Sequence, residues 1–201
     1  MSQPAGYAER RELLSAAALA RTLVRLSAAI RAAHGSLADA VLVGVQTRGV
    51  PIARRLAGLI ARSGGAQLAV GALDITLYRD DLTQIASQPL IKGTDIPVSI
   101  DGKSVILVDD VLYTGRTVRA ALDELVDFGR PARIQLCVLV DRGGRELPIH
   151  ADFVGLRAKT LRDEIVQVCL EEEDGEDSVL LLGPAAARRR SAGASRRRAR
   201  R

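Results

Sequence analysis

Two adjacent carboxylates, Asp109 and Asp110, stand just ahead of a Thr114-Gly115-Arg116-Thr117 turn in the stretch VILVDDVLYTGRT, residues 105–117. The apolar run 105–108 follows an Asp101-Gly102 turn signal. So short a run, rich in β-branched residues, suits a strand buried on both faces of a parallel sheet. The acids come at its end, where solvation or a polar ligand must offset their burial. After the turn, Val118, Ala121, Leu122, Leu125 and Val126 recur at helical spacing. The first amides of a helix lack internal partners and sit at the positive end of its dipole. A phosphate can accept from them if the approaching chain is small, and Gly115 supplies that clearance. Thr114 and Thr117 add hydroxyl donors, while the two carboxylates are acceptors for vicinal sugar hydroxyls. The stretch therefore suits a phosphorylated sugar. A TGxT turn alone would be better explained as a plain strand-to-helix connection; the acid pair after a buried strand reverses that preference.

A second unit of the same kind precedes it. Residues 40–45 (AVLVGV) read as a strand, followed by Gln46-Thr47-Arg48-Gly49. Val50, Ile52, Ala53, Leu56 and Leu59 then pattern as a helix that tolerates Pro51 near its start. Thr47, Arg48 and Gly49 thus sit where a second anion can bind, although TRG alone is a weak signal. Further strands are expected at 68–73 and 75–78 (or one bent pair), 134–140, 153–156, 165–170 and 179–182. A helix is expected over 15–33, with Leu19, Leu23, Leu26 and Ile30 on one stripe and Arg21, Arg25 and Arg31 off it. Residues 79–96 hold acids, Gln, Ser, Lys92 and Gly93 without clear period. Long irregular segments inside compact domains are usually functional or disordered. Strands alternating with helices indicate an α/β parallel sheet whose site lies at the strand C-termini.

Composition sets the bounds. A chain of 201 residues, 47% hydrophobic, fits one globular domain, expected over 9–183 after a disordered lead at 1–8. No uninterrupted apolar stretch is long enough for a membrane span. The N-terminal MSQPAGYAERRELL has no apolar segment before a cleavage site, so no secretory signal is expected, and the expected compartment is the cytoplasm. Cys137 and Cys169 sit in apolar, strand-like runs and read as buried thiols. His34 and His150 lack ligand-spaced neighbours, so a protein-held zinc site is not expected. The formal charge of +5 misleads, because residues 184–201 carry eight of the 29 basic residues and no acids. The remaining 21 face 24 acidic residues, so the body is near −3. That total gives no support for nucleic-acid binding by the body, which must rest on a local basic face.

The central stretch resembles the phosphoribosyl-pyrophosphate signature of type I phosphoribosyltransferases. Together with DITLYRDDL at 74–82 and VDDVLYTGRTVRAALDELVDFGRPARIQLCVLVDRGGRELPI at 108–149, it is similar to one branch, the pyrimidine operon regulators with uracil phosphoribosyltransferase activity (the PyrR type). The resemblance covers roughly residues 13–168. It implies a type I phosphoribosyltransferase fold: a central, mostly parallel twisted sheet flanked by helices, with a small hood over about 141–170 and a flexible lid over about 79–96. It also implies conversion of uracil and phosphoribosyl pyrophosphate to UMP and pyrophosphate. Mg²⁺ would be carried with phosphoribosyl pyrophosphate rather than held by the protein alone. Asp109 and Asp110 would hold the ribose hydroxyls near the developing sugar cation. Val111, Leu112, Tyr113, Thr114, Gly115, Arg116 and Thr117 would line the sugar-phosphate end. Thr47, Arg48 and Gly49, with Arg79 or Lys92 of the lid, would meet the pyrophosphate. Arg142 and the backbone near Val166 would face uracil. No covalent nucleophile is expected.

The same branch implies a regulator that binds the mRNA leader of the pyrimidine operon in a UMP- or UTP-dependent manner, as a homodimer or higher homo-oligomer. Arg21, Arg25 and Arg31 are the RNA-binding candidates, although their pattern also suits the solvated face of an amphipathic helix. With two Phe, three Tyr and no Trp there is no aromatic stacking platform, so contact would run through phosphates. The tail RRRSAGASRRRARR cannot bury apolar surface and is expected to be disordered. It suits either weak phosphate attraction or plain solubilisation. The alternative is a phosphoribosyltransferase for orotate or a purine without RNA regulation; DITLYRDD and VDRGGRELP argue against it.

Overall fold

The computed structural model describes residues 7–75 and 93–184. The elements are β1 (Tyr7–Leu14), α1 (Ala16–His34), β2 (Ala40–Val45), α2 (Gly49–Arg62), β3 (Ala69–Leu73), β4 (Ser104–Leu112), α3 (Arg116–Phe128), β5 (Arg133–Asp141), β6 (Phe153–Arg157), β7 (Ile165–Cys169), α4 (Glu171–Asp174) and β8 (Ser178–Pro184). Five strands form one sheet in the order β3-β2-β4-β5-β6, every adjacent pair parallel. Three form a second, antiparallel sheet in the order β1-β8-β7.

Alternation along the strands explains why the main sheet is buried on both faces. Leu42, Ile106, Cys137 and Leu139 point to the side of α1 and α2, where they meet Leu19, Leu26, Ile30, Ile52 and Leu56. Val41, Val43, Val105, Leu107 and Val138 point to the other side, against Val118, Ala121 and Leu125 of α3. Successive strand residues face opposite ways, so near-continuous apolar runs feed both layers. Each fully enclosed leucine or isoleucine contributes about 2 kcal/mol relative to exposure. Cys137 and Cys169 are buried and unpaired with each other. Among the described residues no helix is long and apolar enough to cross a membrane.

Three expectations change. First, β4 does not stop at Val108: its ladder with β5 continues through Asp109↔Val138, Val111↔Val140 and Leu112↔Asp141, so the acids are part of the strand. Polar residues end a strand only where no neighbour continues the pairing, and here β5 runs alongside. The alternation nevertheless breaks across the acid pair, since Val111 packs on the same side as Val108 three residues earlier, and Leu112 on the other. Second, the expected lead at 1–8 overlaps β1, which starts at Tyr7 and pairs with β8 from Tyr7↔Pro184 to Leu14↔Val179. Its charged sequence, YAERRELL, hides a strand held by backbone bonds to an edge. Third, the span 141–170 expected as a hood divides: β6 completes the main sheet, and β7 joins β8 and β1 in the second. Residues 79–92 of the expected lid, with Arg79 and Lys92, and most of the tail lie outside the described residues.

Candidate active site

In the main sheet β2 has β3 on one side and β4 on the other, so the strand order turns back between β2 and β4. A crevice opens at the carboxyl ends of strands at such a point, and open α/β sheets bind ligands there. Both turns expected to bind anions leave from it: 46–48 after β2 and 113–115 after β4.

The first turn is pressed against the neighbouring strand. Gly49 is buried, and a Cβ there would run into the Val108 carbonyl of β4, so a side chain would push the two strands' ends apart. The Gln46 amide donates to the Leu73 carbonyl at 2.8 Å, and its side-chain Nε2 donates to the Gly93 carbonyl at 3.0 Å. Thr47 is exposed and Arg48 half-buried. The Arg48 guanidinium donates from Nε to Asp174 Oδ2 at 3.1 Å and from Nη2 to Oδ1 at 2.8 Å, a bidentate pairing with the short helix α4. Asp174 Oδ2 also accepts the Leu170 amide at 3.0 Å. The hydrogen bonds that Arg48 donates to Asp174 raise its pKa further above its ordinary value. Burial pushes the Asp174 carboxyl up, but Arg48 and the Leu170 amide outweigh it and hold the group below the usual range.

Two turns further along α2, Arg55 is held by the same acidic segment. It donates to Glu172 at 2.8 and 2.5 Å and to Asp177 at 2.7 and 2.8 Å. The hydrogen bonds from Arg55 keep both carboxyls below their ordinary values.

The second turn is built from bare main chain. Gly115 caps α3 with φ +94°, a left-handed conformation costly for any residue with a Cβ. Ile149 and Leu147 would lie 3.3–3.4 Å from that Cβ, so space as well as torsion selects glycine. No side chain caps the helix start. The Thr114 carbonyl accepts the Glu146 and Leu147 amides at 3.0 and 3.1 Å, which fixes the turn from outside, and Thr114 Oγ1 accepts the Arg116 amide at 3.3 Å. Arg116 reaches Glu146 at 2.9 Å on the exposed surface, so its charge is shared there. Thr117 is half-buried in the first turn of α3.

Between the turns lie the acids. Asp109 is buried and Asp110 half-buried. The Asp110 amide donates to Asp109 Oδ1 at 2.9 Å, and the Val111 amide to Asp110 Oδ1 at 2.7 Å. Burial raises the Asp110 pKa against the opposing pull of the Val111 amide and the Arg48 charge. Arg48 in turn feels both Asp174 and Asp110. The cation of the first turn therefore sits in the field of two carboxylates, Asp174 and Asp110.

The remaining expected residues divide. Val111 packs on the α1–α2 side and Leu112 is in the core, so Leu112 offers the site only main chain. The Arg142 guanidinium stacks over the Tyr113 ring at 4.0 Å and donates to Thr160 Oγ1 and the Leu161 carbonyl at 3.1 and 3.0 Å. With Arg145, Thr160 and Arg162 the pair lines a cavity of about 420 Å³. Arg142 is 7% exposed, so it holds this wall together. Val166 is a buried β7 residue packed in the core on the α1–α2 side. Among the described residues no hydrogen bond joins it to Arg142. On α1, Arg21 and Arg25 are exposed and Arg31 half-buried. Arg25 donates to the Val154 and Gly155 carbonyls of β6, so this cation is committed to tying α1 to the edge strand.

Sequence reasoning missed Asp174. It lies in EEEDGED, residues 171–177, six acids in seven positions, a text that reads as solvated loop. Nothing local announces a partner 126 residues away. The closure at Asp74 also escaped it: Asp74 Oδ2 accepts the Gly93 amide at 3.2 Å, and its own amide donates to Thr94 Oγ1 at 3.0 Å.

Residues 9–173 match the family Phosphoribosyl transferase domain. The chain is 56% identical over 171 residues to the Bifunctional protein PyrR of Chloroflexus aurantiacus, a match covering 85% of this chain and 94% of that one. It is 55% identical over 170 residues to the protein of the same name from Thermus aquaticus, covering 85% and 94%, and 52% identical over 173 residues to that of Clostridioides difficile, covering 86% and 98%. Among solved structures, a hypoxanthine phosphoribosyltransferase of Trypanosoma cruzi superposes with TM-score 0.68 at 19% identity, covering 88% of this chain and 96% of that one. A hypoxanthine-guanine phosphoribosyltransferase of Bacillus anthracis gives 0.64 at 21%, covering 85% and 96%. The structural matches speak to fold alone, and that fold is the one the two strand-turn-helix units build. With the matched span and relatives more than half identical, the chain belongs to the phosphoribosyl transferase domain family, in its PyrR branch.

Proposed function

We propose that this protein transfers the phosphoribosyl group of phosphoribosyl pyrophosphate to uracil, giving UMP and pyrophosphate, and that it regulates pyrimidine-biosynthesis genes by binding their mRNA leader under the control of UMP or UTP. The observation that carries the enzymatic half is the meeting of two anion-binding turns and an acid pair at one crevice between β2 and β4.

Each part has one task. The 114–117 main chain and the Thr114 and Thr117 hydroxyls hold the 5′-phosphate at the start of α3. Asp109 and Asp110 hold the ribose hydroxyls and stabilise the positive charge that develops on the sugar as the anomeric C–O bond breaks. Thr47, Arg48 and Gly49 receive the departing pyrophosphate. The Arg142–Tyr113 wall and the backbone around Val166 bound the space for uracil. No side chain becomes covalently attached; catalysis comes from positioning and charge.

Among the described residues no group of three His, Cys, Asp or Glu side chains could hold a metal ion. The donors at the crevice are carboxylate oxygens, a hard set that suits Mg²⁺ when most other ligands are substrate oxygens and water. Asp109 and Asp110 are the residues that would reach such an ion. Bound with the diphosphate, Mg²⁺ neutralises charge on the leaving group.

The regulatory half rests on the 52–56% relatives named bifunctional. RNA contact runs through phosphates on a basic face of a homodimer or larger assembly, with Arg21 and Arg31 as candidates and Arg25 already tied to β6. The setting is the cytoplasm, where nucleotides and mRNA occur together. Turnover of labelled uracil tests the enzyme: wild-type rate in Asp110→Asn would remove the acid pair from the chemistry. Binding of the protein's own pyrimidine leader RNA tests the regulator, and an affinity and salt slope unmoved by UMP would defeat it.

A further inference from the structure

Arg48 and Arg55 lie seven residues apart on α2, and one acidic segment, residues 171–177, holds both. Their engagement differs. Arg55 gives Nε, Nη1 and twice Nη2 to two carboxylates, so all three of its nitrogens are engaged. Arg48 gives only the Nε–Nη2 edge, to Asp174. Among the described residues its Nη1 makes no hydrogen bond, and its side chain keeps 33% exposure at the crevice, while that of Asp174 keeps 12%. Asp174 is itself fixed by the Leu170 amide at the end of β7.

From this geometry we infer that Asp174 is a positioning residue for the reaction: it grips one edge of Arg48 so that the other edge is presented to the leaving diphosphate. The inference rests on the reading that the 47–49 turn receives that group. A free arginine has many rotamers, and an anion must pay for ordering it. A bidentate carboxylate fixes the plane of the guanidinium before the ligand arrives. Arg48 also feels the charge of Asp110 at the end of β4. A cation compensated by two carboxylates holds a multiply charged anion strongly enough to stabilise its departure and weakly enough to release it. The second carboxylate comes from the β7–β8 connection, so the small antiparallel sheet takes part in the chemistry of the large one.

The test uses the full chain, Mg²⁺, phosphoribosyl pyrophosphate and uracil, with pyrophosphate binding measured separately by calorimetry. Asp174→Asn keeps an acceptor for the Leu170 amide and removes the charged fork. It is expected to lower kcat/KM for phosphoribosyl pyrophosphate and pyrophosphate affinity about tenfold, with the KM for uracil within about twofold. Asp177→Asn loosens the same segment without touching Arg48 and is expected to lower Tm while leaving pyrophosphate affinity alone. In an Arg48→Ala background, Asp174→Asn should have no further effect on pyrophosphate, because the group it positions is gone. The inference is overturned if Arg48→Ala weakens pyrophosphate binding and Asp174→Asn does not, or if the two losses add fully. If Arg48→Ala itself leaves pyrophosphate binding unchanged, the reading of the 47–49 turn is what fails. Should Asp174→Asn not fold, Asp174→Glu serves in its place: it retains the charge but moves it outward, and an unchanged pyrophosphate affinity there would equally overturn the inference.

Discussion

In the proposed reaction the two strand-turn-helix units of this protein would handle anions by opposite means. The turn after β4 ends in Gly115 at φ +94° and opens onto uncapped main chain, so its donors are neutral and fixed by backbone geometry. The turn after β2 offers a charged side chain, Arg48, whose direction is set by a carboxylate 126 residues away. A group that stays bound through the reaction can be held by rigid amides. A group that departs is better served by a charge whose strength a neighbour tempers. The difference teaches that the first site is encoded locally and the second is assembled by the fold.

Breaking the shared centre should have the largest effect. Asp110→Asn is expected to lower kcat by about 10² to 10³ with little loss of folding, since it removes charge facing the sugar cation. Steady-state uracil turnover, with Tm as the control, checks it. Next comes the local turn. Gly115→Ala forces a Cβ into the left-handed region and against Ile149, and is expected to cost about 1–2 kcal/mol of stability and to raise the KM for phosphoribosyl pyrophosphate more than it lowers kcat. Urea unfolding and a KM-against-kcat comparison read the two separately.

The assembled turn should respond to pH where the local one does not. Glu172, Asp174 and Asp177 have folded-state pKa values below their ordinary 4.5, 3.8 and 3.8. Their stabilisation is therefore complete above those values and is lost as pH falls through the depressed ones. Asp110, with its raised pKa, acts with the opposite sign and gains stability as it protonates. Tm should accordingly fall between about pH 5 and pH 2, and Glu172→Gln with Asp177→Asn should flatten that fall. The smallest expected effect is that of Arg55→Ala, about 1–2 kcal/mol by urea unfolding given the exposure of Glu172, with substrate kinetics unchanged. A substrate panel of uracil, orotate, hypoxanthine and guanine sharpens the base assignment, with uracil expected to be the one turned over.

What the sequence made legible follows the same division. β2 matches its expected bounds, and β4, β5 and the helices after both turns were marked by apolar period and glycine, because burial on two faces leaves a text of its own. Gly115 was visible because main-chain clearance demands a residue type, whereas Gly49 entered only as part of the 47–49 turn and its clearance against the Val108 carbonyl is seen in the fold. By contrast, β1 was hidden, since YAERRELL is held by backbone bonds to β8 and has no apolar rhythm. Asp174 was hidden too, because the meaning of one acid among six depends on which cation the fold brings near. Arg25 shows the same limit: its off-stripe position suited an RNA contact or a solvated face, and its bonds to two carbonyls of β6 are visible only in the fold.

Tyr7 pairs with Pro184, so among the described strands the earliest in sequence lies beside the latest. During synthesis β1 must wait for β8, since among the described residues it has no other neighbour in its sheet. Such long-range closure slows folding, and a nascent chain carries an unsatisfied edge until it is complete. A truncation ahead of Ser178 would thus remove β8 and leave both β1 and β7 without the partner they share.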